Sequence, residues 1–410
     1  MHRSPAPVLL PIALLALAIP ACRNSDRTDD WLGTVTDVPN PAGSGSRYPH
    51  LATTADVAVL SWLQPTAAGG FALQHASWRA GAWSPVGTIA SGDGWFVNWA
   101  DFPSVVPLSP RTWAGHWLEQ RPGNVYSYDV RIAVSDDAGA TWSAPFSPHD
   151  DGTPTEHGFV SLFAGDGQAM SAWLDGRRTA GGHDHAAGGS GAMTLRSAVL
   201  GADGVPAGGG LEVDARVCDC CQTDAVATDD GPVLVYRDRS PDEVRDIALV
   251  RLQAGEWSQP VYVNADGWKV DACPVNGPAV DAHGQTVVVA WFTAPDLPRV
   301  RLAFSADAGR SFGPPIEVAR GDVIGRVDVV LLDDGRAVVS WLQAGTAGAE
   351  LRAQPYSRTG TPGPGVLVAA ASVQRSSGFP QMVRAGDGLL FAWTDSAASQ
   401  QVRTAFARLR

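Results

Sequence analysis

The chain has 410 residues, of which 45% are hydrophobic and 18% are charged, so it is long and apolar enough to bury a large core. Its formal net charge is -12 and it contains no basic stretch, which argues against nucleic acid as a partner. The 45 glycines and 30 prolines favour many short strands joined by turns over long helices.

The N-terminal residues predict an export signal. The apolar stretch 8–19 has the length of a signal peptide and is too short to span a bilayer. Ala21 directly precedes Cys22, as in a bacterial lipoprotein cleavage box, so we expect residues 1–21 to be removed and Cys22 to carry a lipid anchor. A plain secretory signal is the alternative. Residues 22–30 then form a short polar tether, and the protein resides in the bacterial cell envelope, on a periplasmic or outer-membrane face.

Beyond the tether, short apolar runs end in an aromatic residue at a nearly constant interval. By subtraction the gaps are 55, 56, 63, 55, 50 and 52 residues, and the aromatic residues are Trp62, Trp117, Trp173, Tyr236, Trp291, Trp341 and Trp393. A period near fifty in a β-patterned chain predicts a propeller, because one four-stranded sheet cannot bury both of its faces alone.

The modules predict an all-β, seven-bladed β-propeller over residues 31–410, with four-stranded blades. The last module, 375–410, lacks a fourth strand, whereas the segment 31–39 precedes the first module without a partner. We therefore expect 31–39 to pair in the last sheet and close the ring, which removes an exposed edge. The predicted blades are 48–91, 98–152, 156–215, 218–266, 271–320, 323–370, and 375–410 with 31–39.

Two modules carry the same motif between their third and fourth strands. Residues 135–142 match S-x-D-x-G-x-T-W, and residues 305–312 match it with Ser and Phe at the last two positions. The Asp side chain is expected to accept backbone N–H groups, the Gly to take a positive φ, and the aromatic residue to pack between sheets. The residues with these structural roles are Asp137, Gly139, Trp142, Asp307, Gly309 and Phe312.

This motif resembles the Asp-box, or BNR repeat, and the chain resembles the sialidase-like Asp-box propellers over about 31–410. The resemblance implies that the Asp-boxes are structural and lie on the face opposite the active site. The sialidases of that family have six blades, which is the alternative architecture. They open their first blade with Arg-x-Pro, whose Arg binds the substrate carboxylate, and Arg47 occupies that place here. Arg326 and Arg375 are the candidates for two further arginines.

The catalytic residues of that family are not found. Its acid/base Asp lies in a loop that corresponds to residues 63–78, which contain no Asp or Glu. Its nucleophile is a late Tyr paired with a Glu, and Tyr356 is the only late tyrosine, in a Gly/Pro-rich outer segment. Since glycoside hydrolysis needs two positioned groups, the catalytic residues remain unassigned.

Four cysteines of the mature chain fall in one sector of the predicted ring. Two disulfides with three possible pairings are one interpretation. A thiolate and imidazole site for copper or zinc is the other. The residues of this sector are Cys218, Cys220, Cys221, Cys273, His157, His183 and His185.

Polar residues fall at the starts of first strands and the ends of second strands, which share one rim of a propeller. They predict an axial pocket for ligand, although ion pairing between blades is the alternative for each. They are Asp101, Glu156, Asp175, Arg177, Arg237, Asp238 and Asp328. The sequence thus predicts a monomeric, lipid-anchored protein that binds a glycan, another polar ligand or an envelope protein through its axial funnel. The alternatives are a glycoside hydrolase with non-standard catalytic groups, and a metal- or redox-handling lipoprotein.

Overall fold

The computed structural model describes residue 1 and residues 31–54, 57–165, 167–179, 191–201, 210–396 and 400–410. The predicted signal and tether, Cys22, His183 and His185 lie outside these residues. The described chain folds into antiparallel sheets that form a seven-bladed ring, so the seven-bladed prediction is confirmed and the six-bladed alternative is wrong. Among the described residues, no helix is long and apolar enough to cross a membrane.

The strands follow the blades in chain order. Strand β1 is Thr36–Val38. Blade 1 contains β2 (Arg47–Thr54), β3 (Val57–Pro65), β4 (Phe71–Arg79), β5 (Ala82–Trp83) and β6 (Gly87–Gly92). Blade 2 contains β7 (Ser104–Pro107), β8 (Trp113–Gln120) and β9 (Tyr128–Ser135). Blade 3 contains β10 (His157–Gly165), β11 (Gln168–Asp175), β12 (Thr194–Leu200) and β13 (Leu211–Asp214). Blade 4 contains β14 (Asp224–Thr228), β15 (Gly231–Arg237), β16 (Ile247–Gln253), β17 (Glu256–Trp257) and β18 (Val261–Asn264).

The remaining blades are more regular. Blade 5 contains β19 (Ala279–His283), β20 (Thr286–Thr293), β21 (Arg299–Ser305) and β22 (Ile316–Arg320). Blade 6 contains β23 (Val323–Leu331), β24 (Ala337–Gly345), β25 (Gly348–Tyr356) and β26 (Val366–Ala371). A 3₁₀ turn, Arg375–Ser377, precedes blade 7, which contains β27 (Gln381–Ala385), β28 (Gly388–Asp395) and β29 (Gln401–Arg408).

Ring closure follows the sequence prediction. Strand β1 pairs antiparallel with β29, with Val38 opposite Thr404. Trp31 is buried in the core between blades 6 and 7, and its carbonyl accepts the N–H of Arg410. The N-terminal segment therefore supplies the fourth strand of blade 7 and covers its edge.

The core lies between blades. Each second strand is apolar because both faces of its sheet are covered, as in β3 and β20. Seven buried clusters of the described residues lie one at each seam between neighbouring blades. Trp62, Trp173 and Trp291 are each completely buried in such a seam, which explains the aromatic period of the sequence.

The two motif hairpins form the turns expected from their residues. Asp137 accepts hydrogen bonds from the Thr141 N–H at 2.8 Å and from the hydroxyls of Ser135 at 2.8 Å and Thr141 at 2.6 Å. These bonds lower the pKa of Asp137 to about 2. Gly139 has a φ of +82°. The second hairpin repeats these contacts around Asp307. Because third strands end at these hairpins, they lie on the face opposite the starts of the inner strands.

Candidate functional site

The axis of the ring contains a cavity of about 290 Å³. We call the face at which the inner strands begin and the second strands end the upper rim. Segments at or beside the inner strands of all seven blades line the cavity, among them His50–Thr53, Asp101–Phe102, Phe159–Leu162, Gln222–Ala225, Gly277–Asp281, Val327–Val330 and Gln381–Arg384. This is where the sequence placed the funnel, and Asp101 and Asp328 both line the cavity.

Three carboxyl groups of the cavity connect neighbouring inner strands. Asp224, Asp281 and Asp328 each accept the N–H of the following residue and one N–H from the next blade. Burial raises the pKa of Asp224 to about 7 and of Asp281 to about 6, and raises that of Asp328 well above its usual value. Sequence reasoning missed Asp224 and Asp281, although each is a single acid within an otherwise apolar inner strand.

Tyr128, at the start of a third strand, joins two of the predicted site residues. Its hydroxyl lies 2.8 Å from Oδ2 of Asp101 and 2.5 Å from Oε1 of Glu156. The other oxygen of Asp101 accepts the Phe159 N–H at 2.8 Å. Gly158 leaves room for this carboxyl, since a Cβ there would lie 1.9 Å from Oδ2 of Asp101.

One hydroxyl proton cannot satisfy two carboxylates, so this network needs a second proton. Burial raises the pKa of Asp101 to about 8, which identifies it as the protonated partner at neutral pH. Asp101 then donates to Tyr128, and Tyr128 donates to Glu156. Burial and the two carboxyls also raise the pKa of Tyr128 well above its usual value. This Tyr–Glu pair is therefore a poor nucleophile, because the phenolate is disfavoured.

Beside this network, the rings of His149 and His157 stack with centroids 3.9 Å apart and planes 7° apart. Nε2 of His157 lies 3.0 Å from Oδ2 of Asp151, and its Nδ1 lies 3.3 Å from the carbonyl oxygen of Tyr128. Burial opposes the charge, yet the hydrogen bond to Asp151 and the negative charges of Asp175, Asp151 and Asp129 raise the pKa of His157. Burial lowers the pKa of His149, so within the stacked pair a proton is favoured on His157 over His149.

Arg177 closes this cluster. It forms two hydrogen bonds of 2.7 Å to Asp175, which lies completely buried at the end of a second strand. Its Nη2 also lies 3.2 Å from Asp151. These side chains balance one another's charge in the seam between blades 2 and 3. That arrangement matches the ion-pairing interpretation of Asp175 and Arg177.

Arg237 also has an inter-blade role. It is completely buried and donates to the carbonyl oxygens of Asn276, Arg245 and Phe292. Its neighbour Asp238 accepts the Tyr262 hydroxyl at 2.5 Å. The sequence predicted a ligand-binding role for Arg237, but its guanidinium lies inside the protein and donates to backbone oxygens.

The three arginines expected to bind a carboxylate contact two different aromatic rings. Arg326 and Arg375 lie 4.9 and 5.8 Å from the ring of Trp99, and Arg326 donates to Ser377 and to the carbonyl oxygen of Gly378. Arg47 lies over Phe71, 5.0 Å from its ring. The described contacts bring Arg326 and Arg375 together at Trp99, and both Arg326 and Arg47 donate to the protein itself, Arg47 to the carbonyl oxygen of Gly45.

The four cysteines form two disulfides, Cys218–Cys221 and Cys220–Cys273. Sulfur in a disulfide is not a thiolate ligand, and the two ring nitrogens of His157 already face oxygen atoms of Tyr128 and Asp151. The four sulfur atoms therefore fit the disulfide interpretation and offer no thiolate to a copper or zinc site.

No family model matches the chain, and neither does any curated protein. A protein of unknown function from Dyadobacter fermentans is 14% identical, with 93% of this chain and 100% of that chain covered and a TM-score of 0.53. An ulvan lyase is 10% identical, with 91% and 94% covered and a TM-score of 0.50. A mutant of the NanB sialidase from Streptococcus pneumoniae is 8% identical, with 92% and 70% covered and a TM-score of 0.43.

Identities this low show a shared fold alone, and the TM-score of the sialidase is too low to support an argument. The similar structures thus agree with the propeller architecture. The resemblance to sialidases rests on the two hairpin motifs, Asp137–Trp142 and Asp307–Phe312.

Proposed function

We propose that this chain is an exported, lipid-anchored propeller of the cell envelope that binds a sugar or another small polar ligand in its axial cavity. The observation that carries the proposal is the cavity itself, to which all seven blades contribute wall. A volume of about 290 Å³ is near the lower end of the range for small-molecule sites. The signal and the lipidation of Cys22 that the sequence predicts support the location.

The wall offers an acidic ligand few positive charges, which favours a neutral ligand. Among the described residues, the lining contains four aspartates and, as basic residues, His50 and Arg384. Burial lowers the pKa of His50 to about 4, so this ring is neutral at physiological pH. Sugar hydroxyls can both donate and accept, which suits a wall of aspartate oxygens and of hydroxyl and amide groups. The ulvan lyase of similar fold is a polysaccharide lyase, which makes saccharides the first ligand class to test, and the scarcity of cations in the wall makes neutral saccharides the first members of that class.

The test is thermal unfolding of the full chain with a panel of neutral mono- and oligosaccharides, alongside an assay for new reducing ends. A ligand at a hundredfold excess over its Kd should stabilise the fold by about 2.7 kcal/mol. Ala52→Leu, which adds bulk at the cavity wall, should abolish that stabilisation.

Ala82→Leu is the matched control, because Ala82 is exposed on a short outer strand and does not line the cavity. It should leave the ligand-induced shift unchanged. The proposal fails if no saccharide raises the Tm, or if Ala52→Leu binds as well as the unmodified chain. Release of reducing ends would reassign the cavity to a glycoside hydrolase.

A further inference from the structure

We infer that the four cysteines form a thiol–disulfide exchange site on the upper rim between blades 4 and 5, which accepts electrons from a dithiol. This goes beyond the proposed function and does not depend on a ligand in the axial cavity. The first observation is proximity. The sulfur atoms of Cys218, Cys220 and Cys221 all lie within 4.8 Å of one another, although they belong to two different disulfides.

The two disulfides differ in their access to solvent. Cys273 is exposed and Cys220 is half-buried, whereas Cys218 and Cys221 are 1% and 2% exposed. An external thiol can therefore reach Cys220–Cys273 first. The buried bond can be reached through Cys220, whose sulfur lies beside it.

The buried disulfide also has a cation beside one sulfur. Nη1 of Arg245 lies 3.5 Å from Sγ of Cys218. This guanidinium is buried and is held by Glu243 at 2.9 Å, with Asp219 at 3.6 Å. A neighbouring cation stabilises a thiolate, and a thiol of low pKa leaves faster in exchange. Arg245 thus favours Cys218 as the leaving sulfur.

The exchange takes place in balanced steps. One thiolate of the dithiol attacks Sγ of Cys273, forms a mixed disulfide and releases Cys220 as a thiolate. The second thiol of the dithiol attacks the mixed disulfide and releases Cys273, so the dithiol is oxidised and one protein disulfide is reduced by two electrons. The Cys220 thiolate then attacks Cys221, forms a bond to it and releases the Cys218 thiolate, with no net oxidation.

Cys273→Ser tests the internal step, because it leaves Cys220 as a free thiol beside an intact disulfide. The free thiol is trapped with a maleimide in acidic denaturant, and peptide mass spectrometry assigns the label. We expect label on Cys218 or Cys221 as well as on Cys220. Label confined to Cys220 would overturn the proposal.

Two arginine variants, each made in the Cys273→Ser protein, distinguish an effect of the guanidinium charge on exchange from an effect on packing. Arg245→Gln removes the cation beside Cys218, which should lower the fraction of label on Cys218 by about tenfold. Arg239→Gln is the matched control, because Arg239 bonds the same acids, Asp219 and Glu243, without contacting a sulfur. It should change the label distribution little. Equal effects of the two variants would argue against a role for the guanidinium in exchange.

The unmodified chain gives a second readout that does not depend on how the variants fold. With limiting dithiol under native conditions, label should appear on Cys220 and Cys273 first and on Cys218 afterwards. If Cys218 and Cys221 react only when the chain unfolds, the disulfides are structural and the inference is wrong. A comparison of dithiothreitol with reduced thioredoxin at equal thiol concentration distinguishes the two possible electron donors, a small dithiol and a dithiol protein. Faster reduction by thioredoxin indicates a dithiol protein, and similar rates indicate a small dithiol.

Discussion

Two seams of the ring are joined at the upper rim by different interactions. One lies between blades 2 and 3, and the other lies between blades 4 and 5. In the first, Asp101, Tyr128 and Glu156 share protons in a buried network. In the second, a disulfide from Cys220 to Cys273 joins the blades covalently. Both seams must hold together segments distant in sequence. The first is sensitive to pH and the second to reductant, so the two seams should respond to different perturbations.

The largest effect is expected at the covalent seam. The Cys220–Cys273 bond closes a sequence separation of 53 residues, whereas Cys218–Cys221 closes a separation of 3. Loop-closure entropy then predicts a loss of about 4 kcal/mol in the free energy of unfolding for Cys220→Ser with Cys273→Ser, and about 2 kcal/mol for Cys218→Ser with Cys221→Ser. Urea denaturation without reductant measures both. Equal losses would show that burial of the cysteines, rather than chain closure, sets their contribution.

The next effect belongs to the proton-sharing seam. Tyr128→Phe removes the hydroxyl that lies between Asp101 and Glu156 and leaves both buried acids without that partner. The free energy of unfolding should fall by about 2 kcal/mol, the cost of an unsatisfied buried polar group.

Tyr262→Phe is the control for Tyr128→Phe. Its hydroxyl also bonds an aspartate, Asp238, but Tyr262 is 50% exposed and water can replace it. This change should cost no more than about 0.5 kcal/mol, as is usual for surface substitutions. A similar loss in the two variants would contradict the importance we give to burial of the network.

The two seams also differ in how far the sequence predicts them. The aromatic period placed every blade, because each aromatic residue must be buried where two sheets meet. The cysteines were placed in one sector because Cys221 and Cys273 each open a blade. Their pairing stayed open, since four cysteines allow three connectivities and sequence carries no distances.

The proton-sharing seam was found only in part. Asp101 and Glu156 were predicted as rim residues, but Tyr128 was not, because its place depends on the path of the 28 residues that separate it from Glu156. Arg237 is the opposite case, because the sequence singled out the residue but predicted a different role for it. A charged residue at the end of a strand can turn outward to ligand or inward to backbone oxygens, and the sequence does not distinguish these.

The last effect is graded by pH and comes from the proton of Asp101. Its pKa is raised from 3.8 to about 8 in the folded protein, so the folded state binds more protons than the unfolded state between these values. The stability that this group contributes is present below about pH 4 and is lost as the pH rises toward 8. In Asp101→Asn, the amide can donate to Tyr128 as the protonated acid does, while its oxygen still accepts the Phe159 N–H. The variant should therefore gain stability relative to the unmodified chain with rising pH, by at most about 1.4 kcal/mol per pH unit.

Asp328→Asn should instead destabilise at every pH, because both oxygens of Asp328 accept backbone N–H groups and an amide nitrogen cannot. Urea denaturation of the three proteins at several pH values between 5 and 8 measures these differences. Parallel curves for Asp101→Asn and the unmodified chain would show that Asp101 does not hold the second proton of the network.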